Sequence, residues 1–228
     1  MNEQNHSLND KNPLRCRRIV AIYGGTFNPV HLGHVQLAHC ICNTGIVDEV
    51  WFMVSPLNPL KQNAEDRPLP TDIRLRLAEM ALKDYDNLNA SDFETHLPMP
   101  SYTITTLKEL HNNYPDCEFK LIVGQDNWKF FHRWVQAQEI KQNHDIIVYG
   151  RKDEADSQNH DNKENKAQVT LYKKDGTFLK LSDRFQFKLY DISSTQIRQA
   201  IRLHNLQLAA KWLNPDVLRF IMENQLYV

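Results

Sequence analysis

The chain has 228 residues, 41% of them hydrophobic and 24% charged, the balance of a globular protein long enough for one sizeable core. A formal net charge of −1 excludes a general attraction to nucleic acid or anionic membranes, and no apolar run approaches the ~20 residues that span a bilayer. The four cysteines, Cys16, Cys40, Cys42 and Cys117, have no paired zinc spacing, and free thiols in a reducing cytoplasm are the simplest expectation.

Residues 1–17 are polar and aperiodic and read as a flexible tail ahead of a single domain, 18–228. Ile19-Val20-Ala21-Ile22 reads as a strand. It runs into Tyr23-Gly24-Gly25-Thr26-Phe27-Asn28-Pro29-Val30 and then a helix through Val35–Ile41. A strand that ends in a glycine turn and opens a helix holds phosphate, because helix-start N–H groups and the dipole favour negative charge. Val47–Val54 is a second strand, broken by Pro56 and Pro59, and 61–70 is a polar loop. Thr71 reads as the cap of a helix with Ile73, Leu77, Met80 and Ala81 on one face, and Leu88–Phe93 as a third strand. After Pro98-Met99-Pro100, Ser101 reads as the cap of a helix that turns Ile104, Leu107 and Leu110 inward. Phe119–Val123 is a buried strand ending at Gly124-Gln125-Asp126, followed by the aromatic stretch 127–134, a short helix and the strand Asp145–Gly150. Residues 152–167 have no large apolar side chain and read as a mobile insertion. Phe185–Tyr190 reads as a late strand, Asp191–Arg198 as a strand-to-helix junction, and Asn214-Pro215 as the start of a last helix.

Alternating strands and helices predict an α/β fold, a doubly wound, mostly parallel sheet with helices on both faces. The junctions at Gly24, Gly124 and Ser193 follow predicted strands and therefore converge on the carboxyl edge, where such sheets bind ligands. The first loop has neither Gly-x-Gly-x-x-Gly nor a closing Gly-Lys-Ser/Thr. What it has is His31-Leu32-Gly33-His34, two imidazoles one helical turn apart with a glycine between them. Such a pair is also half a zinc site, but no convincing further ligand set accompanies it.

Gly24–His34 together with Ile192-Ser193-Ser194-Thr195-Gln196-Ile197-Arg198 resembles the nucleotidylyltransferase superfamily, with its His-x-Gly-His loop and Ile-Ser-Ser-Thr-x-Ile-Arg element. Pro100-Ser101-Tyr102-Thr103, Gly124-Gln125-Asp126 and Trp134 are similar to the bacterial nicotinate-nucleotide adenylyltransferases, and the resemblance covers roughly residues 18–228. It implies a Rossmann-like fold and in-line attack of nicotinate mononucleotide on the α-phosphate of ATP, aided by Mg²⁺ held by no dedicated protein ligands. The products are deamido-NAD and pyrophosphate, on the route to NAD. In that reading His31, His34 and Arg198 are catalytic. Gly24, Gly25, Thr26, Phe27, Gly33, Gly124, Asp126, Ser193, Ser194 and Thr195 hold ATP, and Tyr102, Thr103, Trp134 and Lys61 face the acceptor. Two departures stand out. Leu60 precedes Lys61 where the family often has His, and Thr95-His96-Leu97 follows Glu94 where it often has Arg. The alternatives are a pantetheine-phosphate type of adenylyltransferase, or a nucleotide sensor that has no need of the paired imidazoles. The sequence leaves open whether the protein forms a homo-oligomer.

Overall fold

The computed structural model describes residues 17–56, 67–151, 167–187, 190 and 192–228. The strands are β1 (Arg18–Gly25), β2 (Glu49–Val54), β3 (Leu88–Ser91), β4 (Cys117–Gly124), β5 (Ile146–Arg151), β6 (Ala167–Tyr172) and β7 (Phe178–Lys180). The helices are α1 (Leu32–Cys42), α2 (Thr71–Leu82), α3 (Thr103–Asn113), α4 (Gln125–Lys129), α5 (Ala137–Asn143), α6 (Ser194–Arg202), α7 (Leu206–Trp212) and α8 (Pro215–Glu223). All seven strands form one sheet in the order β3-β2-β1-β4-β5-β6-β7. The first five are parallel, and β6 and β7 add an antiparallel edge. The order reverses between β1 and β4, and ligands bind outside the carboxyl ends of strands at such a point.

Alternation along the strands divides the core. Val20 and Ile22 of β1, Trp51 and Met53 of β2, and Phe119, Leu121 and Val123 of β4 pack under Ile104, Leu107 and Leu110 of α3 and Ile140 of α5. Ala21, Tyr23, Val50, Phe52 and Ile122 face the other way, onto Leu37 and Ile41 of α1, Leu77 of α2, Ile197 of α6 and Val217 and Ile221 of α8. Being buried on both faces explains why these strands read as continuous apolar runs.

Several expected elements differ. β3 stops at Ser91, and Phe93–His96 forms a 3-10 turn. Thr71 and Thr103 are the first residues of their helices, behind Pro70 and Tyr102, so neither Thr71 nor Ser101 is the cap. The expected late strand is absent at Phe185–Phe187, while β6 and β7 lie earlier. That hairpin alternates apolar with polar residues on an edge and carries no long apolar run to announce it. The tail through residue 16, Leu60 and Lys61, and the insertion up to residue 166 lie outside the described residues; Ala167 already belongs to β6. Among the described residues no helix is long and apolar enough to cross a membrane.

Candidate active site

The site begins with the way α1 starts. His31 is the N-cap, in extended backbone geometry, and its Nδ1 accepts the Gly33 N–H at 3.1 Å. His34 reaches back, and its Nδ1 accepts the His31 N–H at 3.3 Å. This is a reciprocal capping box made with imidazoles. A neutral imidazole carries one proton, so a ring accepting at Nδ1 holds it on Nε2. The cap therefore leaves both rings with an Nε2–H to donate. Burial holds both neutral, drawing His31 down to about 4 and His34 well below the usual histidine range, with the His31 ring adding to the second shift. The rings lie 3.7 Å apart between centroids. Gly33 suits this position, because a Cβ would come to 3.0 Å from the His31 ring and push on it.

The preceding loop is fixed from several sides. Phe27, at φ 46°, lays its ring against Gly25 and edge-on to His34 at 5.2 Å. The Arg74 guanidinium is fully buried and donates to the carbonyls of Thr26 (2.6 Å), Ser55 (3.0 Å) and Leu69 (2.7 Å) and to the Thr71 hydroxyl (2.9 Å). Arg198 donates to the Asn28 carbonyl at 3.0 Å, and the Ser194 hydroxyl to that of Pro29 at 2.9 Å. The Asn28 side-chain oxygen accepts from the Tyr227 hydroxyl at 2.7 Å and from the Leu69 N–H at 3.3 Å.

A cleft of about 540 Å³ opens on this loop, lined by His31, Gly33, His34, Gly124, Asp126, Ser193 and Ser194 of the expected residues, and also by Tyr23, Gln125, Tyr149 and Tyr190. Ser193 caps α6 through a second capping box, with Gln196, which presents another helix start to the same space. The Asp126 carboxylate is fully exposed, 3.8 Å from Lys129. Gly25, Thr26, Phe27, Thr195 and Arg198 do not line the cleft. The Thr26 hydroxyl is buried without a hydrogen-bond partner, and the buried Arg198 guanidinium supports the loop from beneath.

A second cavity of about 80 Å³ adjoins the cleft, lined by Gly24, Glu94, Thr103, Thr106 and Trp134 and sharing Tyr23, Gly124, Asn127 and Tyr149 with it. Trp134 packs on Phe131 at 4.8 Å, and Tyr102, 40% exposed, stays outside the lining. The buried Glu94 accepts from Ser55 at 2.5 Å and Thr106 at 2.9 Å. Burial raises its carboxyl, and these hydroxyl bonds partly offset the rise. Arg74, the Tyr23–Tyr149 contact and Tyr227 had no sequence signal of their own, and Glu94 was marked only as the residue preceding Thr95-His96-Leu97.

A family model described as cytidylyltransferase-like matches residues 22–200, and the chain belongs to that family. Within it, the chain is 36% identical over 209 residues to a "probable nicotinate-nucleotide adenylyltransferase" of Flavobacterium johnsoniae, covering 91% of this chain and 98% of that one. It is 51% identical to a Bacteroides thetaiotaomicron protein of the same name over 130 residues, 57% of this chain and 63% of that one, so the match spans a little under two thirds of that relative. Among solved structures, Plasmodium falciparum nicotinic acid mononucleotide adenylyltransferase complexed with NaAD has a similar fold, with a TM-score of 0.65 at 18% identity over 92% of this chain and 97% of that one.

Proposed function

We propose that the protein transfers the adenylyl group of ATP to nicotinate mononucleotide, releasing pyrophosphate and forming nicotinate adenine dinucleotide for NAD synthesis. The observation that carries this reading is the pair of Nε2–H donors which the α1 cap sets into a cleft at the β1/β4 switch point. The near full-length likeness to a relative bearing the enzyme's name supports the choice of substrates.

The triphosphate lies along His31 and His34 toward the α6 start, with Ser193 and Ser194 at its outer end. The mononucleotide enters from the cavity bearing Thr103 and Trp134. Its phosphate oxygen forms a bond to the α-phosphorus, while the bond from that phosphorus to the β-phosphate oxygen breaks and pyrophosphate leaves with the electron pair. Such a transfer needs positioning and charge stabilisation more than a protein nucleophile. The imidazoles donate to oxygens whose negative charge grows in the transition state, and the fixed cap spares them reorganisation. Trp134 offers a flat face to the pyridine ring.

Mg²⁺ fits this donor set only as a companion of the nucleotide. It prefers oxygen ligands and usually binds through one or two carboxylates plus substrate phosphates. Among the described residues no cluster of three metal-ligating side chains exists, and Asp126 is the carboxylate on the cleft wall. Asp126 would face the ion, which would supply positive charge to offset the negative charge growing on the leaving pyrophosphate. The free thiols of Cys42 and Cys117 fit a cytoplasmic setting.

The test supplies purified protein with ATP, Mg²⁺ and, in separate reactions, nicotinate mononucleotide, nicotinamide mononucleotide or phosphopantetheine, and follows pyrophosphate release and dinucleotide by chromatography. Turnover with nicotinate mononucleotide is expected. Its absence, with any other acceptor turned over, overturns the assignment.

A further inference from the structure

Two tyrosines stand where the two cavities meet. Tyr23 ends the buried part of β1, and Tyr149 lies on β5. Strand β4 runs between them, so their backbones are two strand spacings apart, about 9.6 Å. They meet over Gly124, which pairs with Tyr149 in the sheet and brings no side chain into the gap. A Cβ there would lie 3.3 Å from the Tyr149 hydroxyl. The rings meet edge-on at 5.8 Å, and the hydroxyl oxygens are 2.8 Å apart. Both residues line the large cleft and the small cavity alike.

Proton counting gives this contact a consequence. Two phenols carry two hydroxyl protons, and the bond between them uses one. The second has no protein acceptor among the described residues. A buried donor without a partner is costly, and the open space beside the pair is the junction of the two cavities. Burial raises both phenols above their usual range, so both remain protonated at neutral pH, and the Asp126 charge pushes Tyr149 the same way. Tyr23 also touches the His34 ring edge-on at 6.0 Å, so the spare donor belongs to the same wall as the imidazoles.

We propose that the Tyr23–Tyr149 hydroxyl pair reserves one O–H donor for a phosphate oxygen at the junction of the two cavities. The inference rests on the adenylyl-transfer reading for what arrives there. Phosphate oxygens come from two sources, the α-phosphate of ATP and the phosphate of the acceptor. Because either hydroxyl alone still carries a proton, the pair is redundant in one specific sense. One phenylalanine leaves a donor; two leave none.

The test prepares Tyr23→Phe, Tyr149→Phe and the double variant, all of which keep the rings and hence the packing. ATP and nicotinate mononucleotide are titrated separately by calorimetry, and kcat and KM are measured with both. Each single change is expected to cost at most about threefold. The double is expected to lose about ten- to a hundredfold, more than the product of the singles. Loss in the ATP titration assigns the donor to the α-phosphate, and loss in the mononucleotide titration to the acceptor. A double variant that binds both ligands and turns over like wild type overturns the proposal. Tyrosine labelled at Cζ gives a second reading on unaltered protein: a carbon shift at Tyr23 or Tyr149 on adding either ligand is expected, and no shift with both ligands bound contradicts it. Wild-type protein that binds ATP but makes no dinucleotide sinks the adenylyl-transfer reading alone, while the ATP titration still decides the donor.

Discussion

The phosphate end of the cleft and the acceptor end differ in how many separate pieces of chain hold them. The loop from Thr26 to His34 is tied by Arg74 of α2, Ser194 and Arg198 of α6, the Leu69 backbone and Tyr227 beyond α8. These ties come from far along the sequence and meet on backbone carbonyls or the Asn28 amide. The acceptor end depends on Glu94, which links Ser55 at the end of β2 to Thr106 of α3, and on Trp134, which follows a short 3-10 turn. Its cavity is about 80 Å³ against about 540 Å³ for the cleft, and Tyr102 and Phe130 beside it are 40% and 51% exposed. A preformed phosphate end suits charge stabilisation, which gains from donors that need not move. On the proposed reading, a mononucleotide entering the small cavity requires it to enlarge or reshape.

The sharpest way to break the comparison is to remove a donor from the preformed end. His34→Ala deletes an Nε2–H together with the 3.3 Å contact inside the cap and the ring's packing on His31 and Phe27. Turnover of ATP with nicotinate mononucleotide is expected to fall about 10²–10³-fold, the scale for deleting one preorganised donor, with circular dichroism showing the fold retained. Turnover within a fewfold of wild type removes the catalytic role.

Arg74→Met tests whether the ties matter to the fold itself. The change leaves the Thr26, Ser55 and Leu69 carbonyls without this donor in the interior. Lost bonds of that kind total about 3 kcal/mol or more, equivalent to about 6–12 °C in Tm for a chain this size. Urea and thermal melts measure it. A loss below about 1 kcal/mol shows that α2 is not holding the loop.

Acid probes the cap through the charge on His31 itself, read on the ligand-free protein. An unfolded His31 titrates near 6.5, whereas burial holds the folded ring at about 4. Below 6.5 the unfolded chain therefore binds a proton that the folded one refuses. The stability is fully present above 6.5 and drains away as pH falls toward 4. At pH 5.5 the loss from this residue is about 1 kcal/mol. His31→Asn keeps a cap acceptor and removes the titration, so wild type should lose about that much more than the variant between pH 7.5 and 5.5 in urea melts. Equal losses contradict a buried neutral His31.

Much of the phosphate end was legible because its signals are local. The strand, the glycines, the cap and the histidines follow one another within residues 19–34, and the Ser193 cap repeats the pattern. Strands β1, β2, β4 and β5 were legible because burial on both faces makes them largely apolar runs. What the chain did not announce depends on contacts across long separations. Arg74 looks like an exposed helix residue until three carbonyls from other segments close on it. Arg198 reads as a cation for phosphate, and no local pattern records its bond to the distant Asn28 carbonyl. Tyr149 reads as a strand residue and Tyr23 as the start of the glycine loop, and no local pattern records that they meet over Gly124. The β6–β7 edge was missed for a different reason, since its strands are short, alternate apolar with polar residues and carry no long apolar run.

The smallest expected effect bears most directly on the contrast between the two ends. Tyr227→Phe removes one hydroxyl, which donates to the Asn28 side chain at 2.7 Å, and keeps a buried ring in place. Asn28 retains the Leu69 N–H on the same oxygen and Arg198 on its carbonyl, so the loop keeps most of its ties. The loss should be about 1 kcal/mol, the net worth of one neutral hydrogen bond, or about 2–4 °C in Tm. Because Asn28 lies three residues before the capping histidine, the looser loop should lower kcat severalfold. KM for nicotinate mononucleotide should stay the same, since Glu94, Thr106 and Trp134 do not touch Tyr227. A rise in the acceptor KM without a fall in kcat shows that the two ends are mechanically joined through the loop. A fall in kcat alone shows that the phosphate end is a separately braced unit.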